Sequence, residues 1–78
     1  MDSFVGQIAI FPFSFAPTGW LLCAGQLLPI SQYPALFSLI GDSFGGDGRT
    51  NFAVPNYQNQ APKGSQYYIC LQGNFPPR

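Results

Sequence analysis

Residues Phe4–Gly25 have the sequence FVGQIAIFPFSFAPTGWLLCAG, in which two apolar stretches flank a connection that contains two prolines. Within Phe4–Phe11 (FVGQIAIF) the side chains alternate with a period of two, so that Ile8 and Ile10 share one face. This alternation predicts a strand. Trp20–Gly25 (WLLCAG) predicts a second strand on the same grounds.

The connection between these strands has the composition of a turn. Pro12 lacks the N–H that a strand ladder needs, so regular pairing should stop there. Pro17 presets φ and Gly19 tolerates a positive φ, which suits a hairpin or a corner. Three phenylalanines continue at period two and should lie on one side of the extended segment: Phe11, Phe13 and Phe15.

One short helix is predicted after the second strand, at about residues 32–40. Ser31 is an acceptable N-cap, and Pro34 suits the first turn, where its missing N–H is not needed. Apolar side chains then follow a helical stripe: Tyr33, Leu36, Phe37 and Ile40. Gly41 suits a left-handed C-terminal residue. Because helices shorter than about 12 residues are marginal alone, this one must pack on the sheet.

The rest of the chain alternates loops with short extended segments. Residues 42–51 (DSFGGDGRTN) predict a glycine-rich loop, and residues 52–55 (FAVP) an extended segment. Residues 56–65 (NYQNQAPKGS) predict a polar loop, and residues 66–72 (QYYICLQ) a last strand. The fold class is therefore α+β: a small β-rich single domain over residues 1–78, with one short helix packed on a sheet.

The composition favours self-association. Charged side chains make up 8% of the 78 residues, against about 25% in an average domain, and the net charge is zero. A chain of this size buries only about 60% of the surface that it exposes when unfolded. A surface with few charges also leaves strand edges unprotected. We therefore expect much of the surface to be buried against other copies of the chain.

Several partners are disfavoured by the same numbers. Three scattered basic residues cannot follow a phosphate backbone, so nucleic acid is not an expected partner. No apolar run reaches the roughly 18 residues of a membrane span. Asp2 stands where a signal peptide would carry positive charge. We expect synthesis in the cytoplasm, which leaves release by lysis or by a dedicated machine open.

Catalysis is not expected, because the sequence has no His and no Glu to act as a general base or acid. The glycine-rich run lacks a phosphate-binding motif, and one Asp falls short of a calcium site. Metal and cofactor sites are therefore not predicted. We interpret the run as a structural loop shaped by hydrogen bonds of Asp47 and Arg49, or as a contact surface. The candidate contact residues in it are Gly45, Gly46, Asp47, Gly48 and Arg49.

Two cysteines, Cys23 and Cys70, fall in predicted strands. A disulfide between them would close a long loop and contribute about 4 kcal/mol. The absence of a recognisable signal peptide favours the alternative, two buried thiols that act as small hydrophobic side chains.

The aromatic residues suggest a second function, a glycan-binding adhesive module. Aromatic rings stack on sugar faces, and the candidate contacts are Trp20, Asn56, Tyr57 and Gln58. Rings also bury large areas at protein interfaces, so burial in the core or between subunits is the simpler explanation for most of them.

Two long stretches resemble the phage tail-collar domain, a family also known as microcystin-dependent protein. They are FVGQIAIFPFSFAPTGWLLCAGQLLPISQYPALFSLIG (residues 4–41) and FGGDGRTNFAVPN (residues 44–56). The shared elements are the Phe-x-Pro-x-Gly-Trp turn, Cys-x-Gly-Gln, Leu-x-Pro-Ile-Ser, Ala-Leu-Phe-x-Leu-Ile-Gly and Gly-Gly-Asp-Gly-Arg-Thr-x-Phe. Residues 67–78 (YYICLQGNFPPR) resemble the C-terminal strand of longer members.

The resemblance implies a structural subunit of a phage tail fibre that is trimeric, with itself and other tail-fibre proteins as partners. A compact unit with bare strand edges is also suited to stacking head to tail into a filament. The resemblance also implies a final location in a virion tail, a phage-tail-like particle or an extracellular fibre. Longer members carry Pro-Asp-Leu-Arg-Gly-Arg where this chain has Pro55 and then NYQNQ (residues 56–60), and a variable middle region follows there. Its loss here favours an architectural role. The contact candidates are the Phe11, Phe13 and Phe15 row, Trp20, the glycine-rich loop and Phe75.

Overall fold

The structure is a computed structural model, and it describes residues 4–12 and 15–75. Those residues form five strands and one helix, which confirms the predicted small, β-rich α+β fold. In chain order the elements are β1 (Ile8–Phe11), β2 (Trp20–Leu22), β3 (Leu27–Pro29), α1 (Pro34–Ile40), β4 (Asn51–Ala53) and β5 (Gln66–Cys70).

The larger sheet has the strand order β1-β5-β2, and both pairs are antiparallel. Its central strand comes from the end of the sequence, with Ile69 opposite Ile8 on one side and opposite Leu21 on the other. Because β5 lies between them, β1 and β2 do not form a hairpin. The last part of the connection is a turn in which Trp20 N–H donates to Pro17 O (3.0 Å) and Gly19 has φ of 85°.

Strand β1 is shorter than the predicted Phe4–Phe11, because a turn precedes it. Gly6 has φ of 85°, and its N–H donates to Cys70 O (2.9 Å). Cys70 N–H in turn donates to Gln7 O (2.9 Å), so two residues face one at this end of the strand, as in a β-bulge. The predicted stop at Pro12 is confirmed.

A second sheet, which the sequence did not predict, pairs β3 with β4. Leu28 lies opposite Phe52 in this antiparallel pair. Only three residues of each strand take part, which is too short for a recognisable alternation. The predicted strand Trp20–Gly25 also ends early, at Leu22, after which Ala24 makes a single bridge to Asn56. The predicted strand 66–72 ends at Cys70.

Helix α1 begins at Pro34, two residues later than predicted. The N-cap is Tyr33, with no side-chain hydrogen bond, so the prediction of Ser31 as N-cap was wrong. Pro34 occupies the first turn as expected. Gly41 ends the helix with φ of 58° and donates its N–H to Phe37 O (2.8 Å).

The core joins the helix to both sheets. Leu36 of α1 is fully buried, and the Phe37 and Phe52 rings lie 5.4 Å apart. Helix α1 therefore packs on the strands as predicted. The buried core cluster consists of Val5, Cys23, Leu36, Phe52, Val54 and Ile69.

Candidate assembly surface

Seven large apolar side chains of the described residues are exposed, by 39% to 66% of their area. They are Phe4, Ile8, Ile10, Phe15, Leu27, Phe44 and Phe75. Phe15 and Phe75 are among the predicted contact residues. The other five were missed. For Ile8 and Ile10 the reason is that the alternation in β1 shows which residues share a face but not that β1 lies at the edge of its sheet.

The predicted row of phenylalanines is divided in the structure. Phe11 is half-buried: its ring meets the edge of Trp20 at 5.2 Å and lies 5.7 Å from the Tyr68 ring. Phe15 is exposed, and Phe13 lies outside the described residues. The side chains of Phe11 and Trp20 therefore pack against each other on one face of the larger sheet.

The glycine-rich loop is organised around the Asp47 carboxylate. Its Oδ1 accepts hydrogen bonds from the N–H groups of Arg49 (2.8 Å), Thr50 (2.9 Å) and Asn51 (3.1 Å). Its Oδ2 accepts from Thr50 Oγ1 at 2.9 Å. These hydrogen bonds hold the pKa of Asp47 well below its ordinary value, and the bond from Arg49 N–H has the largest effect. Arg49 contributes through its backbone to the expected shaping of the loop.

Two glycines of this loop are constrained, Gly46 by close packing against backbone and Gly48 mainly by its positive φ. A Cβ on Gly46, whose φ is 90°, would lie 2.6 Å from Phe52 Cα. A Cβ on Gly48, whose φ is 72°, would lie 2.7 Å from Asp42 Oδ2. The loop therefore presents a fixed shape, with Asp47 and Arg49 exposed at its surface and Gly45 partly buried.

A cleft of about 280 Å³ lies between the polar loop and one end of the larger sheet. Two of the candidate glycan contacts, Tyr57 and Gln58, line it together with Lys63 and Gln66. The other two do not line it. Trp20 packs against Phe11, and Asn56 Oδ1 accepts a hydrogen bond from Gln58 N–H (3.2 Å).

Cys23 and Cys70 are both free thiols and both buried. Burial raises the pKa of the Cys23 thiol to about 11. The Cys70 thiol donates to Gln72 O at 2.9 Å. A thiol with a raised pKa is a poor nucleophile and a poor metal ligand, so Cys23 is suited to packing rather than to chemistry.

Neither a metal cluster nor a membrane-spanning helix is found in the described part of the chain. Residues 4–12 and 15–75 contain no group of three or more His, Cys, Asp or Glu side chains placed to hold a metal ion. No helix among them is long and apolar enough to cross a bilayer.

Comparison with known proteins gives one match. The sequence model of the phage tail collar domain matches residues 6–62, which is most of the chain and includes every element from β1 to β4. No curated protein and no solved structure matches the chain.

Proposed function

The chain belongs to the phage tail collar domain family, and from this membership we propose that it is a structural subunit that assembles with copies of itself. The assembly is a homotrimer or a head-to-tail filament. Its place is the virion tail, a phage-tail-like particle or an extracellular fibre, where other tail-fibre proteins are further partners.

The exposure of large apolar side chains on a nearly uncharged surface carries this proposal. Phe4, Ile8, Ile10, Leu27, Phe44 and Phe75 all expose more than a third of their area, while charged residues make up only 8% of the sequence. Ile8 and Ile10 lie on one face of β1, and the bridge between Phe4 and Asn74 brings Phe4 close to the residue before Phe75. Clusters of exposed apolar side chains commonly mark a protein interface. Burial of these side chains between copies would add to the small core of a 78-residue chain.

The role is structural rather than catalytic. The sequence lacks His and Glu, and the Asp47 carboxylate is engaged by the N–H groups of its own loop. Such a carboxylate stays ionised and acts as a fixed anchor, which is the opposite of the proton exchange that acid–base catalysis needs.

Negative-stain electron microscopy of the purified chain tests the proposal. We expect uniform filaments or discrete particles larger than a single 8.5 kDa domain. A field with no such objects at any concentration up to the solubility limit would contradict it.

The cleft beside Tyr57 supports a second candidate function, glycan or receptor binding. It combines an aromatic ring with amide and ammonium groups, which is the combination that sugar-binding sites use. We expect sugar-dependent retention on a glycan array, lost in Gln58→Ala and Tyr57→Ala. Gln58 is exposed, so its replacement should leave the fold intact. The absence of binding across a broad array would remove this candidate.

A further inference from the structure

The outer edge of β1 is not paired with any other strand of residues 4–12 and 15–75. Because Cys70 N–H donates to Gln7 O, the alternation of an antiparallel ladder turns the backbone groups of Ala9 and Phe11 toward β5. The N–H and C=O groups of Ile8 and Ile10 therefore point away from the sheet. Within residues 4–12 and 15–75, these outward groups of Ile8 and Ile10 have no backbone partner.

The opposite edge of the same sheet is largely closed. The outward groups of β2 belong to Trp20 and Leu22. Trp20 N–H donates to Pro17 O (3.0 Å), and Leu22 O accepts from Ala24 N–H (2.9 Å). Half of the outward groups of β2 are thus already used, and β2 is a poor partner for the edge of β1.

The second sheet offers no better edge. The loop covers β4, since Ala53 N–H donates to Gly45 O and Gly48 N–H donates to Asn51 O, both at 3.0 Å. Strand β3 contains Pro29, which has no N–H and whose carbonyl accepts from Gln32 and Tyr33. Among the described strands, β1 is therefore the edge with two outward residues open to pairing.

The two exposed side chains along this edge are both isoleucines. Ile8 and Ile10 are 39% and 44% exposed, and they lie on the same face as Ile69, which is buried in the core. None of the residues Ile8–Phe11 is charged. The edge therefore lacks the lysines and inward charges that usually prevent strand pairing.

The pairing length is limited at both ends. The bulge at Gly6 and Gln7 closes one end, and Pro12 closes the other. A short, symmetric set of donors and acceptors, with no charge to complement, fits a second copy of itself better than an unrelated charged partner.

We propose that β1 pairs with β1 of a second copy, antiparallel about a two-fold axis at Ala9. Ile8 of each copy then lies opposite Ile10 of the other, and each such pair exchanges two N–H···O bonds. The two three-stranded sheets become one sheet of six strands. This deepens the proposed self-assembly and rests on it: such pairs, stacked head to tail along their two-fold axis, form the filament, whereas a homotrimer contains no such pair.

The edge continues into an apolar groove that enlarges the contact. A stable pair buries about 800 Å² on each copy, more than a four-residue strand supplies. The groove directly precedes β1 and is lined by Phe4, Val5, Gly6, Gln7, Leu39 and Ile40. In the proposed pair the second copy also covers this groove.

Disulfide capture in the assembled wild-type background tests the pairing. Residues 9 of the two copies form a non-hydrogen-bonded pair, with Cα atoms about 4.5 Å apart, which is within disulfide range. We expect Ala9→Cys to give a dithiothreitol-sensitive dimer under mild oxidation. Ser43→Cys, at an exposed position away from the edge, is the control and should give at most a trace of dimer.

A charged side chain placed on the edge of β1 provides a second test of the pairing. Adding Ile10→Lys to Ala9→Cys removes two apolar contacts per pair, and we expect the dissociation constant of the pair to rise about 100-fold. Gln60→Lys adds the same charge at an exposed position of the polar loop, outside β1 and its groove, and should leave the crosslink yield unchanged.

The outcomes separate the two proposals. If the wild-type chain assembles but Ala9→Cys crosslinks no more than Ser43→Cys, the β1 pairing is wrong and the proposed function stands. If the wild-type chain remains a monomer, both are wrong. A crosslink yield that survives Ile10→Lys also overturns the pairing.

Discussion

At the scale of single residues, the glycine-rich loop is specified by space and by backbone geometry. Gly46 has a positive φ and also lies where a side chain would meet the backbone of β4. Gly64 has a similar φ of 86°, but nothing lies within 4 Å of the position of its missing Cβ. Alanine substitutions at these two positions therefore distinguish the free-energy cost of a steric clash from the cost of an unfavourable φ.

We expect Gly46→Ala to lower the free energy of unfolding by about 3 kcal/mol, since it combines backbone strain with overpacking. Gly64→Ala should cost about 1 kcal/mol, from its φ alone. Urea unfolding at one fixed protein concentration gives both values, because the proposed assembly would make stability depend on concentration. Equal losses of unfolding free energy in the two variants would show that the backbone at Phe52 moves to make room for the added methyl group.

The Asp47 carboxylate makes the loop sensitive to acid. Its pKa is lowered in the folded chain from an ordinary value of 3.8, so the folded state favours the ionised form. The stability that it supplies is present above about pH 4 and is lost as pH falls below that value. Asp47→Asn removes the titrating group and keeps an oxygen that can accept from the loop N–H groups.

We therefore expect the melting temperature of the wild-type chain to fall more steeply between about pH 5 and pH 2 than that of Asp47→Asn. Thermal unfolding followed by circular dichroism at several pH values measures the two slopes. Parallel slopes would mean that the hydrogen bonds to Asp47 do not depend on its charge.

At the scale of elements, helix α1 is held by the core rather than by its own caps. It has seven residues, its N-cap makes no side-chain hydrogen bond, and Leu36 is its one buried side chain. Leu36→Ala should lower the free energy of unfolding by about 3 kcal/mol. Ser38→Ala, on the exposed face of the same helix, should change it by no more than about 0.5 kcal/mol. Chemical denaturation compares the two, and a small effect at Leu36 would place the core elsewhere.

The elements also show what the sequence can and cannot predict. The helix was placed almost correctly, because its stripe, Pro34 and Gly41 all act locally. The central position of β5 was not predictable from alternation, because Ile69 pairs with Ile8 and Leu21, which are far from it in the sequence. Strand β3 was missed because its three residues carry no periodic signal, and its pairing with β4 is decided by tertiary contacts.

The candidate surface was predicted in part for the same reason. The loop around Asp47 and the exposed Phe75 carry local signals in composition and turn chemistry. The exposed Ile8 and Ile10 do not, because an apolar residue of a strand is buried or exposed according to what lies beside that strand. Trp20, a candidate for exposed stacking, is instead held against Phe11 by the register of the sheet.

At the scale of the whole molecule, a single copy has few charged side chains to keep it in solution and a small hydrophobic core to stabilise it. The domain extends over 35 × 26 × 21 Å, and its net charge is zero. Near-zero charge and exposed apolar side chains both favour association. Family membership supports a structural role in a phage tail fibre, which is the setting of the proposed association.

The mass of the wild-type chain in solution, measured by light scattering across a dilution series, tests the central claim most directly. We expect a mass several times 8.5 kDa that falls toward 8.5 kDa on dilution. A mass of 8.5 kDa at every concentration up to the solubility limit would contradict a self-assembling subunit and would leave glycan binding as the better account.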